Sequence, residues 1–262
     1  MKGFKGSFGE NYRIEIEKAV RIESIYDFSF GFCGIMKAVK IECALYILNN
    51  FESRFEMTSE RKRTAEEDTL ISPDNAVLVI IDYQPVQIHS VNTDNTGRML
   101  KNLVTLCKAA DVFELPVVLT TVNVGSNRNQ DTLKQIKDAL PENTPSIDRT
   151  TMNSWEDEEF VNAVKATGRK KIIMCALWTE VCMAFPTIDA LKEGFEVFPV
   201  VDAIAGTTPL THETALRRVE QAGASLVSTA QLICELQRDW NREETVKEFV
   251  DLMFEVGAFQ GL

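Results

Sequence analysis

NAVLVIID, residues 75 to 82, is an unbroken apolar run from Ala76 to Ile81 that ends in an aspartate. A strand with one wet face alternates apolar and polar residues. A run that is apolar at every position is buried on both faces, as in a parallel sheet held between two helix layers. Comparable runs follow at LPVVLTT (115 to 121), KKIIMCAL (170 to 177), FEVFPVVDA (195 to 203) and ASLVST (224 to 229). The intervals carry helical periodicity: RMLKNLVTLCKAADVF (98 to 113), DTLKQIKDAL (131 to 140), EDEEFVNAVKATG (156 to 168), EVCMAFPTIDALKEG (180 to 194) and THETALRRVEQAG (211 to 223). Several close on glycine, which suits the left-handed residue that ends many helices. Strand and helix alternating in this way predict an α/β fold: a three-layer α/β/α sandwich around a central, mostly parallel sheet. Ligands of such sheets sit at the carboxyl ends of the strands. A further helix at 228 to 240 and a tail, EETVKEFVDLMFEVG (243 to 257), complete the series.

Outward from this core the chain changes character. Residues 1 to 56 hold eight basic and eight acidic residues, so the formal charge of −11, from 28 Lys plus Arg against 39 Asp plus Glu, arises wholly downstream. The expected organisation is an N-terminal extension of unknown fold (1 to 56), a polar linker (57 to 69) opening on Met57, the α/β domain itself (70 to 242) and a helical tail (243 to 262). Met57 also reads as the original start of a shorter protein. An acidic surface repels phosphate backbones and anionic headgroups, so neither nucleic acid nor membrane is an expected partner. Six scattered cysteines without a C-x-x-C pair, no sequon and no apolar signal segment point to a reducing, cytoplasmic setting.

No Walker, dinucleotide, zincin or G-x-S-x-G motif is present, and the chain has two histidines, His89 and His212. His212, in the first turn of a helix, reads as a surface residue. Three reactive groups fall at strand ends: Asp82, Arg149 after the segment SID, and Cys182 just past KKIIMCALWTE. A cysteine opening a helix meets unpaired N–H groups and the positive dipole end, which predicts a lowered pKa. Each has a plain structural alternative: a cap or ion-pair partner for the acid, a solvated charge for the arginine, a small buried hydrophobe for the cysteine.

The segments VLVIIDYQPVQ, RTTMNSWEDEEFVNAVKATGRKKIIMCALWTEVCMAFPTIDALKEGFEVFPVVDA and CELQRDW together resemble the isochorismatase-like cysteine hydrolases, over about residues 70 to 242. The likeness is to their bacterial branch of oligomeric, poorly characterised hydrolases. It implies a catalytic triad of Asp82, a cation and Cys182, with Arg149 standing where the family's usual residue is Lys. Arginine holds an anion but does not shuttle a proton as a lysine of depressed pKa can. The resemblance also implies a thioester acyl-enzyme formed from a small amide-like substrate. Its oxyanion hole would be the backbone N–H groups of Trp178 and Cys182, joined through a cis Leu177–Trp178 peptide.

The resemblance further implies a homo-oligomer, an octamer in the resembled branch. The histidines that bind metal in some members are missing from TTVNVGSNRNQ, so neither metal nor cofactor is expected. Around the centre, Gln84 either orients substrate or caps a loop, Trp155 either walls the pocket or anchors packing, and Phe185 either shapes the pocket or packs its helix. Two other functions remain open: isochorismate vinyl-ether hydrolysis, which the presence of Cys182 disfavours, and a non-catalytic binding protein on the same fold.

Overall fold

The computed structural model describes residues 63 to 259 apart from Asp94 and Asn143. The expectations for residues 1 to 56 and most of the linker lie outside the described residues. Five parallel strands form one sheet: β1 (Ala76–Ile81), β2 (Val117–Val122), β3 (Ser146–Arg149), β4 (Lys171–Ala176) and β5 (Glu196–Pro199), in the order β3-β2-β1-β4-β5. β1 lies at the centre and every one of its residues is buried, as its unbroken apolar run requires. Its alternate side chains enter two separate cores. Ala76, Leu78 and Ile80 meet the helices α2 (Thr96–Val112), α7 (Thr229–Gln237) and α8 (Val246–Glu255). Val77, Val79 and Ile81 meet α4 (Glu158–Ala166), α5 (Ala184–Lys192) and α6 (Pro209–Ala222). The result is the three-layer α/β/α sandwich.

Three local expectations are corrected. ASLVST is not a strand; only Val227 bridges, to Val200. Ser225 N–H does bond to Val197 O, at 3.0 Å, but the return bond to Ser225 would need an N–H on residue 199, which is proline. DTLKQIKDAL keeps one helical turn, α3 (Lys134–Lys137). A short helix α1 (Pro85–Ser90), absent from the sequence reading, begins with proline at its first turn, where the missing N–H costs nothing.

At the upstream end, Asp68 is nearly buried and its carboxylate meets Arg238, while its carbonyl accepts from the buried Lys171 Nζ at 2.6 Å. The packed body of the domain therefore already includes Asp68.

Candidate functional site

The carboxyl ends of β1, β3 and β4 bring Asp82, Arg149 and Cys182 together. Asp82 follows β1 with φ of +60°, the left-handed region that aspartate tolerates better than most residues, and its N–H bonds to Thr120 O of β2. Arg149, the last residue of β3, donates from Nη2 to Asp82 Oδ2 at 2.6 Å, and neither side chain has any exposed surface. Its Nη1 donates to the Thr151 carbonyl. Asp82 Oδ1 is buried without a hydrogen-bond partner.

Cys182 lies in a π-turn (Thr179–Met183) between β4 and α5, 7% exposed and close enough to Asp82 for the two groups to shift one another's titration. The wide π-turn is visible in its bonds: Met183 N–H and Val181 N–H both reach Trp178 O. π-turns are rare and occur often at functional sites.

The expected low thiol pKa is corrected. Burial pushes the Cys182 thiol well up, and the Asp82 carboxylate pushes it further; Arg149 and the Trp178 backbone N–H pull the other way without prevailing. Burial likewise raises the Asp82 carboxyl above its ordinary value against the pull of Arg149. Both shifts favour the uncharged forms, the thiol of Cys182 and the carboxyl of Asp82, and the Arg149 guanidinium opposes each.

The Leu177–Trp178 peptide is cis. The Trp178 indole N–H donates to Gln87 O and Ser90 Oγ, at 3.1 and 2.9 Å, and so ties α1 to the turn carrying Cys182.

For two pocket candidates the structure shows the contacts of the structural alternative. Gln84 is fully buried, donates to Val122 O and Gln130 O and accepts from Val122 N–H, so its amide is engaged as a loop tie. Trp155 gives its indole N–H to Glu193 and sets its ring edge-to-face on Phe160 and Phe195, a packing anchor. Phe185 is partly buried against the core that contains Cys182. Asp202 caps α7 through Thr229, as a structural residue would. Among the described residues no group of three His, Cys, Asp or Glu side chains could hold a metal ion, and no helix is long and apolar enough to cross a membrane.

The sequence reading missed what surrounds the turn. Glu180 accepts from Thr207 N–H and Oγ1–H, and Thr179 Oγ1 is 2.8 Å from His212 Nδ1, so the surface reading of His212 fails. These contacts join residues separated by roughly thirty positions, which no local periodicity displays; the T-E motif next to Cys182 was the only available signal.

The model of the isochorismatase domain matches residues 76–231, more than half of the chain. The chain belongs to the isochorismatase family. Among curated members of the family, the probable hydrolase YcaC of Escherichia coli is 36% identical over 174 residues, 66% of this chain and 83% of that protein. The structure of Escherichia coli YcaC, described as an octameric hydrolase of unknown specificity, superposes with a TM-score of 0.63 at 32% identity, covering 73% of this chain and 98% of the other. YcaC of Pseudomonas aeruginosa, solved with hexane-2,5-diol and covalent acrylamide, gives 0.64 at 32% identity over 72% and 98%. As an isochorismatase-family member, this chain is a hydrolase of the α/β sandwich type.

Proposed function

We propose that this hydrolase cleaves the C–N bond of a small amide-like substrate with Cys182 as nucleophile, Asp82 as proton acceptor and donor, and Arg149 as the cation that orients Asp82. The observation that carries this reading is the asymmetry of Asp82: Oδ2 is held by Arg149 and Oδ1 is not, while the carboxyl lies close enough to the Cys182 thiol for the two to shift one another's titration. The Cys182 S–H proton passes to Asp82 Oδ1 as the sulfur attacks the carbonyl carbon. The negative charge forming on the carbonyl oxygen is met by the backbone N–H groups of Trp178 and Cys182. Protonated Asp82 then returns its proton to the leaving nitrogen, the C–N bond breaks and a thioester remains. A water molecule attacks the thioester, giving one proton to Asp82; the acid departs and the proton returns to sulfur.

The covalent acrylamide on Pseudomonas aeruginosa YcaC supports a nucleophile in this family, since acrylamide is an electrophile that thiols take up. Cysteine chemistry needs a reduced thiol, consistent with a cytoplasmic setting and with free Cys107, Cys175, Cys182 and Cys234. The octamer of Escherichia coli YcaC supports a homo-oligomer here.

The test is a panel of small amides assayed for ammonia or amine release. Wild type should turn over at least one, and Cys182→Ala should lose that turnover while keeping its circular dichroism spectrum. Undiminished turnover by Cys182→Ala would remove the nucleophile. A wild type that binds members of the panel and hydrolyses none would leave the binding-protein reading in the lead.

A further inference from the structure

We propose that Glu180 is a positioning residue, a carboxylate latch that fixes the turn bearing Cys182 to the loop entering α6. The proposal rests on the reading of Cys182 and Asp82 given above. Glu180 lies two residues before the nucleophile. Its Oε1 accepts from both Thr207 N–H, at 3.0 Å, and Thr207 Oγ1–H, at 2.5 Å. Its Oε2 is buried, without a hydrogen-bond partner, and pressed against Gly206, where an added Cβ would stand only 2.6 Å away.

The latch has parallel supports on both sides. Leu177 bridges Ala205, Thr179 N–H donates to Ala205 O at 2.9 Å, and Thr179 Oγ1 meets His212 Nδ1 in α6. The loop is itself held from behind, because Gly206 N–H donates to Thr93 Oγ1 and Gly206 O accepts from Asn92 N–H. Every residue from Leu177 to Glu180 except Trp178 is thus fastened to residues 205 to 212, and Trp178 is fastened to α1 through its indole. The strand before this turn is buried throughout and paired on both sides, so these ties set where the sulfur and the Trp178 and Cys182 N–H groups point. The hydrogen bonds of Glu180 run to Thr207, so the action proposed for it is mechanical, exerted through Thr207.

A mechanical latch and an electrostatic one respond differently to Glu180→Gln. The glutamine carbonyl still accepts both Thr207 hydrogen bonds while the charge is gone. The experiment measures Cys182 alkylation by iodoacetamide between pH 6 and 10 in the full chain, with Cys182→Ala to subtract the other thiols. A thiol aimed at Asp82 reacts at a rate nearly independent of pH through neutrality, because Asp82 takes the proton.

Glu180→Ala should lower the rate at pH 7 about 10–100-fold, the scale expected for a misaimed reacting group, and make it climb with pH. Glu180→Gln should keep the flat wild-type profile. Gly206→Ala, whose Cβ would stand 2.6 Å from Oε2 and also 3.0 and 3.2 Å from His212 Cβ and Cα, keeps the carboxylate but loosens the same junction and should move in the same direction as Glu180→Ala; it also replaces that variant should the latter fail to fold. A flat, wild-type profile in Glu180→Ala, or in Gly206→Ala where that stands in, overturns the latch. A wild type that is not flat overturns the Asp82–Cys182 reading, and the latch with it.

Discussion

Arg149 shows how much a single residue carries at this site. Among the described residues it is the one guanidinium paired with a carboxylate where neither side chain has exposed surface, and its other arm holds the Thr151 carbonyl. Removing one member of a buried ion pair leaves the other charged and unsolvated, which costs about 3–5 kcal/mol. Arg149→Ala should therefore lower the free energy of unfolding by about that amount in urea titration, in addition to abolishing turnover. Arg149→Lys should lose clearly less, because one ammonium can donate both to Asp82 and to the Thr151 carbonyl. Equal losses would mean that the shape of the guanidinium matters more than its charge.

Asp82 and Cys182 could be picked out because each closely follows an apolar run, whereas Arg149 ends SID, a short segment that is not apolar, and stood out only as a charge at a strand end. Their electrostatics were not legible in the sequence. A helix-start cysteine predicts a lowered pKa, but the sequence does not show that this sulfur is buried against a carboxylate, and the structure reverses the direction. The bonds of Gln84 and Trp155 were hidden for a related reason: proximity in sequence to the site says nothing of partners such as Gln130 or Glu193, which come from other segments.

At the scale of elements, the strands buried on both faces and the long helices were readable from periodicity, and their ends were set by caps. α6 begins at Pro209 behind the cap Thr208, whose side chain accepts from Thr211 N–H while Thr211 Oγ1 accepts from Thr208 N–H. The same threonine ladder continues to Thr207, the partner of Glu180. Thr208→Ala should cost about 1 kcal/mol, or about 2–4 °C in Tm for a domain of this size. An unchanged Tm would show that neighbouring threonines replace the cap. The elements that escaped the sequence reading, α1 and the π-turn, are both short and lie at strand ends where tertiary bonds override periodicity.

For the whole molecule, two expectations follow. The packed body already includes Asp68, held by Arg238 and Lys171, so a chain starting at Met57 retains every contact described for the sandwich. It should unfold at a urea midpoint close to that of the full chain; failure to fold, or a markedly lower midpoint, would make residues 1 to 56 part of the domain. Light scattering of the full chain at micromolar concentration should give a multiple of 29.5 kDa, and the monomer mass itself would refute the oligomer.

The central claim is that Asp82 takes the proton of a thiol that would otherwise stay protonated. The most direct measurement is the pH dependence of Cys182 alkylation in wild type and in Asp82→Asn. In wild type the rate should be nearly constant across neutral pH and fall on the acid side, as Asp82 becomes protonated at a pH above the ordinary aspartate range. In Asp82→Asn the neighbouring anion is gone and Arg149 remains. The thiol should then titrate at lower pH than in wild type, and the rate should climb about tenfold per pH unit below that point, following the thiolate. A simple titration near the free-cysteine value of about 8.5 in both proteins would contradict the account.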